Sequence, residues 1–318
     1  MVNLSAFGEK IYMKKTGVCN HTVVTIHAEE FLNHLESLKY SPKSIKTFRY
    51  GLQRFNVFLT SRQITRIQDV TIKDLDSYRL ELINQDYSDQ SIGLYLRSVR
   101  KLFKYLEETR QIFINPASKL IIPSLKKEIK PVPDESQMIT LIEQPDISKS
   151  TGIRDRAIIE TFYRTGIRLE ELILMDISDV DFINKCVSVI GKGNKQRVVP
   201  IGQQAVYWID RYLIDVRPVF LRNKADNGAL WLGFKGSRIH PLMVERFISD
   251  YGKKAKIHFP VTPHCIRRAC ATHMLRAGAH PVNLQMLLGH SNLSVLSHYL
   301  KITITDMKAM HEKGNPGK

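Results

Sequence analysis

The chain has 318 residues, more than one hydrophobic core usually serves, so two domains are expected. Lys and Arg number 47 against 31 Asp and Glu, and the net charge of +16 favours a polyanionic partner, with nucleic acid first and a membrane surface second. No apolar run approaches the roughly 20 residues of a membrane-spanning helix, and the N-terminus lacks the apolar block of a signal peptide, so a cytoplasmic protein is expected.

The four cysteines are scattered, which is not the pattern of a disulfide framework. Cys265 and Cys270 have His264 and His273 nearby, a composition that raises the question of a metal site. A spacing of five turns two residues about 140° apart on a helix, so these thiols are not expected to share one zinc ion. We expect neither a metal nor a cofactor.

Residues 25–112 have the pattern of a helical domain, preceded by an N-terminal extension over 1–24. The stretch "HAEEFLNHLESL" is amphipathic, and the next helix is predicted to begin with Ser41 as its cap and Pro42 at its first position. Thr71 and Ser88 are predicted to cap two further helices. Apolar residues recur at helical spacing in the second helix, namely Ile45, Phe48, Leu52, Phe55 and Leu59.

The last helix of this domain combines an apolar stripe with a basic stripe. A basic stripe is usually just a solvated face. No acidic residue lies between positions 90 and 106 to pair with this one, so a surface that binds phosphates is an equally good interpretation. The residues predicted to contact DNA are Lys43, Lys46, Arg97, Arg100, Lys101 and Lys104.

Residues 113–133 are predicted to form a basic linker, because four prolines interrupt a lysine-rich stretch without helical periodicity. The linker either follows a nucleic-acid backbone or serves as a plain connector. A second domain is predicted over 134–302, starting at a helix with Asp134 as cap and Gln137 three residues later. "CVSVIGKGNKQRVVPI" predicts a β-hairpin, and residues 303–318 form a C-terminal tail.

Four separated stretches of the second domain carry residues suited to a phosphate. Arg168 in "TGIR" follows a glycine helix stop and adjoins a helix N-terminus, and Lys192 in "GKG" lies in the hairpin turn. His264 and Arg267 in "PHCIR" project from the same helix face. Alone, each has an ordinary structural explanation; the same holds for "LLGH" with His290, followed by a tyrosine nine residues later.

Together and in this order, these stretches resemble the tyrosine site-specific recombinases of the Xer and phage or transposon integrase type. The resemblance covers about residues 25–302. It implies a mainly α fold with a small β-sheet (α+β), in which a helical SAM-like DNA-binding module precedes a catalytic domain. Arg268, Cys270 and the ending "HYLKI" depart from frequent family residues and leave the subgroup open. The catalytic residues that the resemblance implies are Arg168, Lys192, His264, Arg267, His290 and Tyr299.

The resemblance implies a site-specific recombinase that breaks and rejoins double-stranded DNA through a 3′-phosphotyrosyl intermediate, without metal or ATP. A tyrosine with a pKa near 10 is only about one part in a thousand phenolate at pH 7, which costs roughly 4 kcal/mol, so Tyr299 needs positive neighbours. The expected assembly on DNA, at the nucleoid in the cytoplasm, is a homotetramer or a heterotetramer with a paralogue, and an accessory DNA-bending protein is a further expected partner. Two alternatives are a type IB topoisomerase-like nick-and-reseal enzyme and a DNA-binding regulator that keeps the fold without the reaction.

Overall fold

A computed structural model describes residues 23–123, 130–191, 195–222 and 224–289. The chain divides into two compact units, Met1–Lys127 and Glu128–Lys318. Each unit has its own large hydrophobic core. No helix in the described ranges is both long enough and apolar enough to cross a membrane.

The N-terminal unit is helical throughout its described part. Ser41, Thr71 and Ser88 each accept a hydrogen bond from the backbone N–H three residues later, which confirms the three predicted caps. Pro42 occupies the first turn of its helix, as predicted. The helices are α1 (Val23–Ser37), α2 (Pro42–Ser61), α3 (Ile72–Asn84) and α4 (Asp89–Glu108), with a 3-10 turn at Ile67–Asp69.

Aromatic side chains fill the centre of the N-terminal core. The ring centroid of Tyr78 lies 5.1 Å from those of both Phe55 and Phe58. Helices α2 and α4 approach closely at Gly51, where an added Cβ atom would lie 2.6 Å from the Ser98 hydroxyl oxygen. A larger residue at this position would therefore force the two helices apart.

Part of the segment predicted as linker packs onto the N-terminal unit. Ala117 and Leu120 are buried in its core. The Asn115 side chain fixes the turn before them, since its oxygen accepts from the Ala117 N–H at 2.9 Å and its amide donates to Glu107 at 2.9 Å. Residues 124–129 of the predicted linker lie outside the described ranges.

The C-terminal unit combines helices with one three-stranded antiparallel sheet in its described part, in the order β1-β2-β3. Asp134 and Gln137 form the predicted capping box, and Gly166 ends its helix at φ 59°, as predicted. The elements are α5 (Glu135–Glu143), α6 (Ser150–Thr165), α7 (Leu169–Leu174), β1 (Val180–Asp181), β2 (Cys186–Ile190), β3 (Gln196–Pro200), α8 (Gly202–Arg211), a π turn (Tyr212–Val216), α9 (Arg217–Leu221), α10 (Pro241–Lys254), α11 (Pro263–Arg276) and α12 (Pro281–Leu288).

The hairpin of β2 and β3 presents one face to the core. Val187 pairs with Val199 in the strand register, and both side chains are buried. Val189, also buried, pairs with Arg197. Since alternate residues of a strand share a face, Arg197 lies on the same face as the buried valines.

Helix α6 is the central helix of this unit and is buried along most of its length. It carries a buried ion pair, in which Arg154 donates to the Asp155 carboxylate at 2.7 Å. The Tyr251 hydroxyl donates to the other oxygen of Asp155 at 3.0 Å. Burial raises the pKa of Asp155, and the positive charge of Arg154 opposes that rise.

Candidate active site

Two of the predicted catalytic arginines meet at the carboxyl end of α12. The Arg168 guanidinium donates to the carbonyl of Gly289 at 2.7 Å, and the Arg267 guanidinium donates to the carbonyl of Leu288, also at 2.7 Å. The last carbonyls of a helix have no partner inside the helix and carry partial negative charge, so they attract such donors. The two guanidinium groups are therefore neighbours although the residues are 99 positions apart in sequence.

The turn between α6 and α7 sets the position of Arg168. Gly166 adopts a left-handed conformation there, and an added Cβ atom would lie 2.8 Å from Leu288 and 3.0 Å from the Cys270 sulfur. Arg168 follows as the N-cap residue of α7. Arg267 donates to the Gly166 carbonyl, so the buried arginine ties this turn to the end of α12.

Glu171, three residues after Arg168, holds the Arg168 side chain in place. Its carboxylate accepts from the Arg168 guanidinium at 2.6 Å and from the Arg168 backbone N–H at 2.8 Å. The guanidinium of Arg197 donates to both oxygens of the same carboxylate, at 2.9 and 2.8 Å. Burial raises the pKa of Glu171, but the hydrogen bonds from Arg197 and Arg168 outweigh it and lower the pKa to about 2.

His264 lies in the first turn of α11, three residues before Arg267, with its side chain exposed. Desolvation lowers the pKa of its imidazole below the ordinary 6.5, and the charges of Arg267, Arg268, Lys130 and Arg168 lower it further. These effects favour the neutral form of the imidazole.

Lys192, His290 and Tyr299 lie outside the described residues. For Lys192 and His290, the residue just before is described and lies at the cluster of Arg168, Arg197 and Arg267. Gly191, which precedes Lys192, would place an added Cβ atom 3.3 Å from a Glu171 carboxylate oxygen. Gly289, which precedes His290, accepts from Arg168. Gly191 and Gly289 therefore both lie at this arginine cluster.

Arg197 is the site residue that the sequence interpretation missed. The hairpin motif indicated the turn lysine, Lys192, and gave no role to the arginine in "QRVVP" of β3. A signal was nevertheless present, because a period of two places Arg197 on the same face as Val199. An arginine on a core-facing position needs a buried partner, and here that partner is Glu171.

The six residues predicted to contact DNA lie on two helices of the N-terminal unit. Five are exposed, whereas Arg100 is half-buried and donates to the Leu120 carbonyl of the same unit. The Lys101 ammonium lies 5.0 Å from the ring centroid of Tyr40 and 3.2 Å from its hydroxyl. Lys43 and Lys46 are on α2, and Arg97, Arg100, Lys101 and Lys104 are on α4.

Comparison with known proteins identifies both units. The chain matches the phage integrase family over residues 132–305 and the phage integrase N-terminal SAM-like domain over residues 28–109. The tyrosine recombinase XerD of Staphylococcus haemolyticus (strain JCSC1435) is 31% identical over 289 residues, which cover 91% of this chain and 98% of the relative.

Solved structures share the architecture. The crystal structure of XerA recombinase is 27% identical, with a TM-score of 0.52, and the match covers 93% of this chain and 100% of that one. The crystal structure of a lambda integrase tetramer bound to a Holliday junction is 15% identical, with a TM-score of 0.71 and coverage of 88% and 78%, which shows the fold alone.

A helical SAM-like module followed by a mixed catalytic domain with paired arginines defines a DNA strand-exchange enzyme. The chain belongs to the phage integrase family and is a tyrosine recombinase. The predicted family, the α+β fold class and the predicted enzyme class are confirmed.

Proposed function

We propose that this recombinase cuts double-stranded DNA by attack of Tyr299 on one backbone phosphate, through a 3′-phosphotyrosyl intermediate that needs neither metal nor ATP. The observation that carries the proposal is the arginine pair, because Arg168 and Arg267 donate to consecutive carbonyls directly before His290. The cleaved phosphate would bind to these guanidinium groups.

The arginine pair supplies the main electrostatic contribution. The Arg168 side chain is 35% exposed, so a phosphate can reach it, whereas Arg267 is buried and its guanidinium donates to the carbonyls of Gly166 and Leu288. Preorganised donors at a transition-state oxyanion are typically worth about 3 to 4 kcal/mol each. Arg168, Arg267 and the His290 N–H together would contribute roughly 10 kcal/mol of the approximately 8 to 23 kcal/mol that enzymes supply.

Each remaining residue of the proposed catalytic set has one chemical task. The Tyr299 phenolate oxygen, whose proton has passed to solvent, forms a bond to phosphorus as the bond from phosphorus to the 5′ oxygen of the next nucleotide breaks. Lys192 gives its proton to that leaving oxygen. His264, whose lowered pKa favours the neutral imidazole, orients the phosphate or passes a proton. A hydroxyl from a second strand then reverses the step, and because the covalent link conserves the bond energy, resealing needs no ATP.

The proposed DNA complex uses both units. Residues 25–112 would bind DNA through Lys43, Lys46 and the basic residues of α4, residues 113–133 would connect the units, and residues 134–302 would carry the reaction. We propose a homotetramer, or a heterotetramer with a paralogue, on double-stranded DNA, supported by a lambda integrase tetramer on a Holliday junction that has this fold. An accessory DNA-bending protein and a place at the nucleoid of the cytoplasm belong to the same proposal.

Incubation with a library of nicked duplexes tests this function. A nick close to the cleaved phosphate releases a short fragment that cannot rejoin, so the covalent complex accumulates and its DNA can be sequenced. The proposal predicts protein joined to 3′ phosphates within a shared sequence, and two plasmid copies of that sequence should recombine. Binding without any adduct would instead indicate a DNA-binding regulator. Adducts accompanied by plasmid relaxation but no exchange would indicate a nick-and-reseal enzyme.

A further inference from the structure

We propose that Arg197 is a positioning residue for the reaction, which acts through Glu171 to keep Arg168 oriented and positively charged toward the DNA phosphate. This inference rests on the proposed function, in which Arg168 binds the phosphate that is cleaved.

Arg197 joins three elements of the site. Two of its nitrogens donate to the two carboxylate oxygens of Glu171 on α7, at 2.9 and 2.8 Å. Its third nitrogen, Nε, donates to the carbonyl of Leu287 on α12 at 2.9 Å. The arginine itself belongs to β3 of the hairpin. One planar guanidinium therefore fixes the distance between the hairpin, the start of α7 and the end of α12.

The two glycines at the edge of the described site leave room for this guanidinium. An added Cβ atom at Gly289 would lie 3.0 Å from the central carbon of the Arg197 guanidinium, and one at Gly191 would lie 3.3 Å from one of its nitrogens. The Arg197 side chain is only 15% exposed. The surrounding atoms thus hold the Arg197 guanidinium in one position, as its proposed role in orienting Arg168 requires.

Charge gives Arg197 a second effect. Glu171 alone would neutralise Arg168, because a carboxylate and a guanidinium 2.6 Å apart form a neutral pair. With Arg197 on the same carboxylate, the three groups have a net charge of +1. Arg168 can then attract a phosphate while Glu171 still holds its side chain in place. Without Arg197, the orienting carboxylate would oppose the negative charge that grows on the phosphate in the transition state.

Single-turnover cleavage of a nicked duplex tests the role of Arg197 in the full chain. We expect Arg197→Gln to lower the rate constant by about 100-fold, as misplacement of a binding group commonly does, while the Kd for DNA changes little. Arg197→Lys keeps the charge but cannot span both carboxylate oxygens and the Leu287 carbonyl, so an intermediate rate constant is expected. A fraction of misfolded protein would lower the amplitude of the reaction and leave its rate constant unchanged.

Arg238→Gln is the matched control. Arg238 also binds the region of α7, donating to the carbonyls of Ile173 and Met175 and to the carboxylate of Asp176, but at the opposite end of the helix from Arg168. Its loss is expected to lower the unfolding temperature and to leave the cleavage rate constant near that of the wild-type chain.

A double variant that also changes Glu171 distinguishes two explanations of a slow Arg197→Gln variant: loss of the action of Arg197 through the Glu171 carboxylate, and loss of support for the fold. In Arg197→Gln the carboxylate is left beside Arg168 alone, and Glu171→Gln in the same chain removes that negative charge. We expect the double variant to cleave about tenfold faster than Arg197→Gln, because Arg168 regains its charge toward the phosphate. A double variant no faster than the single variant would overturn the inference.

The outcomes also separate this inference from the proposed function. If the wild-type chain forms no covalent adduct with any duplex of the library, the proposed function fails. If the wild-type chain forms the adduct and both Arg197→Gln and Arg197→Lys react with its rate constant, only the role of Arg197 is wrong.

Discussion

Acid weakens the C-terminal unit by protonating Glu171. The pKa of this carboxyl is about 2 in the folded chain against an ordinary 4.5. Because the folded value is the lower one, the stabilisation is fully present above pH 5 and is lost as the pH falls from about 4.5 toward 2. The difference corresponds to about 3 kcal/mol in full, of which about 2 kcal/mol should be lost by pH 3. Burial of the carboxyl and its two arginine partners keep solvent from screening the effect.

Urea denaturation followed by tryptophan fluorescence measures this loss. The chain has two tryptophans, Trp208 and Trp231, and both lie in the C-terminal unit, so the signal reports the unit that contains Glu171. Glu171→Gln cannot be protonated, and its stability gap to the wild-type chain should narrow by about 2 kcal/mol between pH 7 and pH 3. Glu170→Gln makes the same change at an exposed neighbouring residue and is the matched control. A gap for Glu171→Gln that stays constant with pH would refute the reasoning.

Three further predictions follow from single contacts. Asp155→Ala leaves Arg154 buried without its carboxylate and should lower the free energy of unfolding in urea by about 3 to 5 kcal/mol; a loss below 1 kcal/mol would contradict the buried pair. Gly289→Ala, at φ 65°, should cost about 1 to 2 kcal/mol of stability, displace Arg197 and slow cleavage in single-turnover assays; wild-type kinetics would contradict this. Arg97→Ala with Lys101→Ala should weaken binding to all DNA sequences alike and reduce the salt slope of binding by about 2, whereas an unchanged slope would return this stripe to a solvated face.

Local signals predicted five helix boundaries correctly because they depend on neighbouring residues alone. The caps at Ser41, Thr71, Ser88 and Asp134 use a side chain and a backbone N–H three positions apart, so the sequence contains both partners. Gly166 is a similar case, since a left-handed helix end favours glycine whatever surrounds it.

Contacts between segments that are distant in the chain could not be predicted from the sequence in this way. The segment predicted as linker buries Ala117 and Leu120, although its prolines and lysines indicated a connector, because the core of the N-terminal unit decides which of its apolar residues are covered. Arg100 shares the periodicity of the basic stripe, yet it donates to a carbonyl 20 residues away. Periodicity identifies a helix face without showing what covers it.

The arrangement of the candidate site could be predicted only in part. The motifs indicated Arg168 and Arg267 as catalytic, a role that stays a prediction, and the structure brings both to the end of α12. Arg197 was missed because its partners, Glu171 and the Leu287 carbonyl, are 26 and 90 residues away. The alternation of β3 indicated a core-facing arginine, but only the fold identifies the carboxylate that it meets.

The central claim is that one tyrosine forms a covalent bond to DNA phosphorus beside the arginine pair. The most direct measurement compares the wild-type chain with Tyr299→Phe on the same captured duplex, by gel shift and by electrophoresis after boiling in detergent. The account predicts that both proteins bind the duplex and that only the wild-type chain yields a detergent-resistant adduct. An adduct formed by Tyr299→Phe would contradict the account.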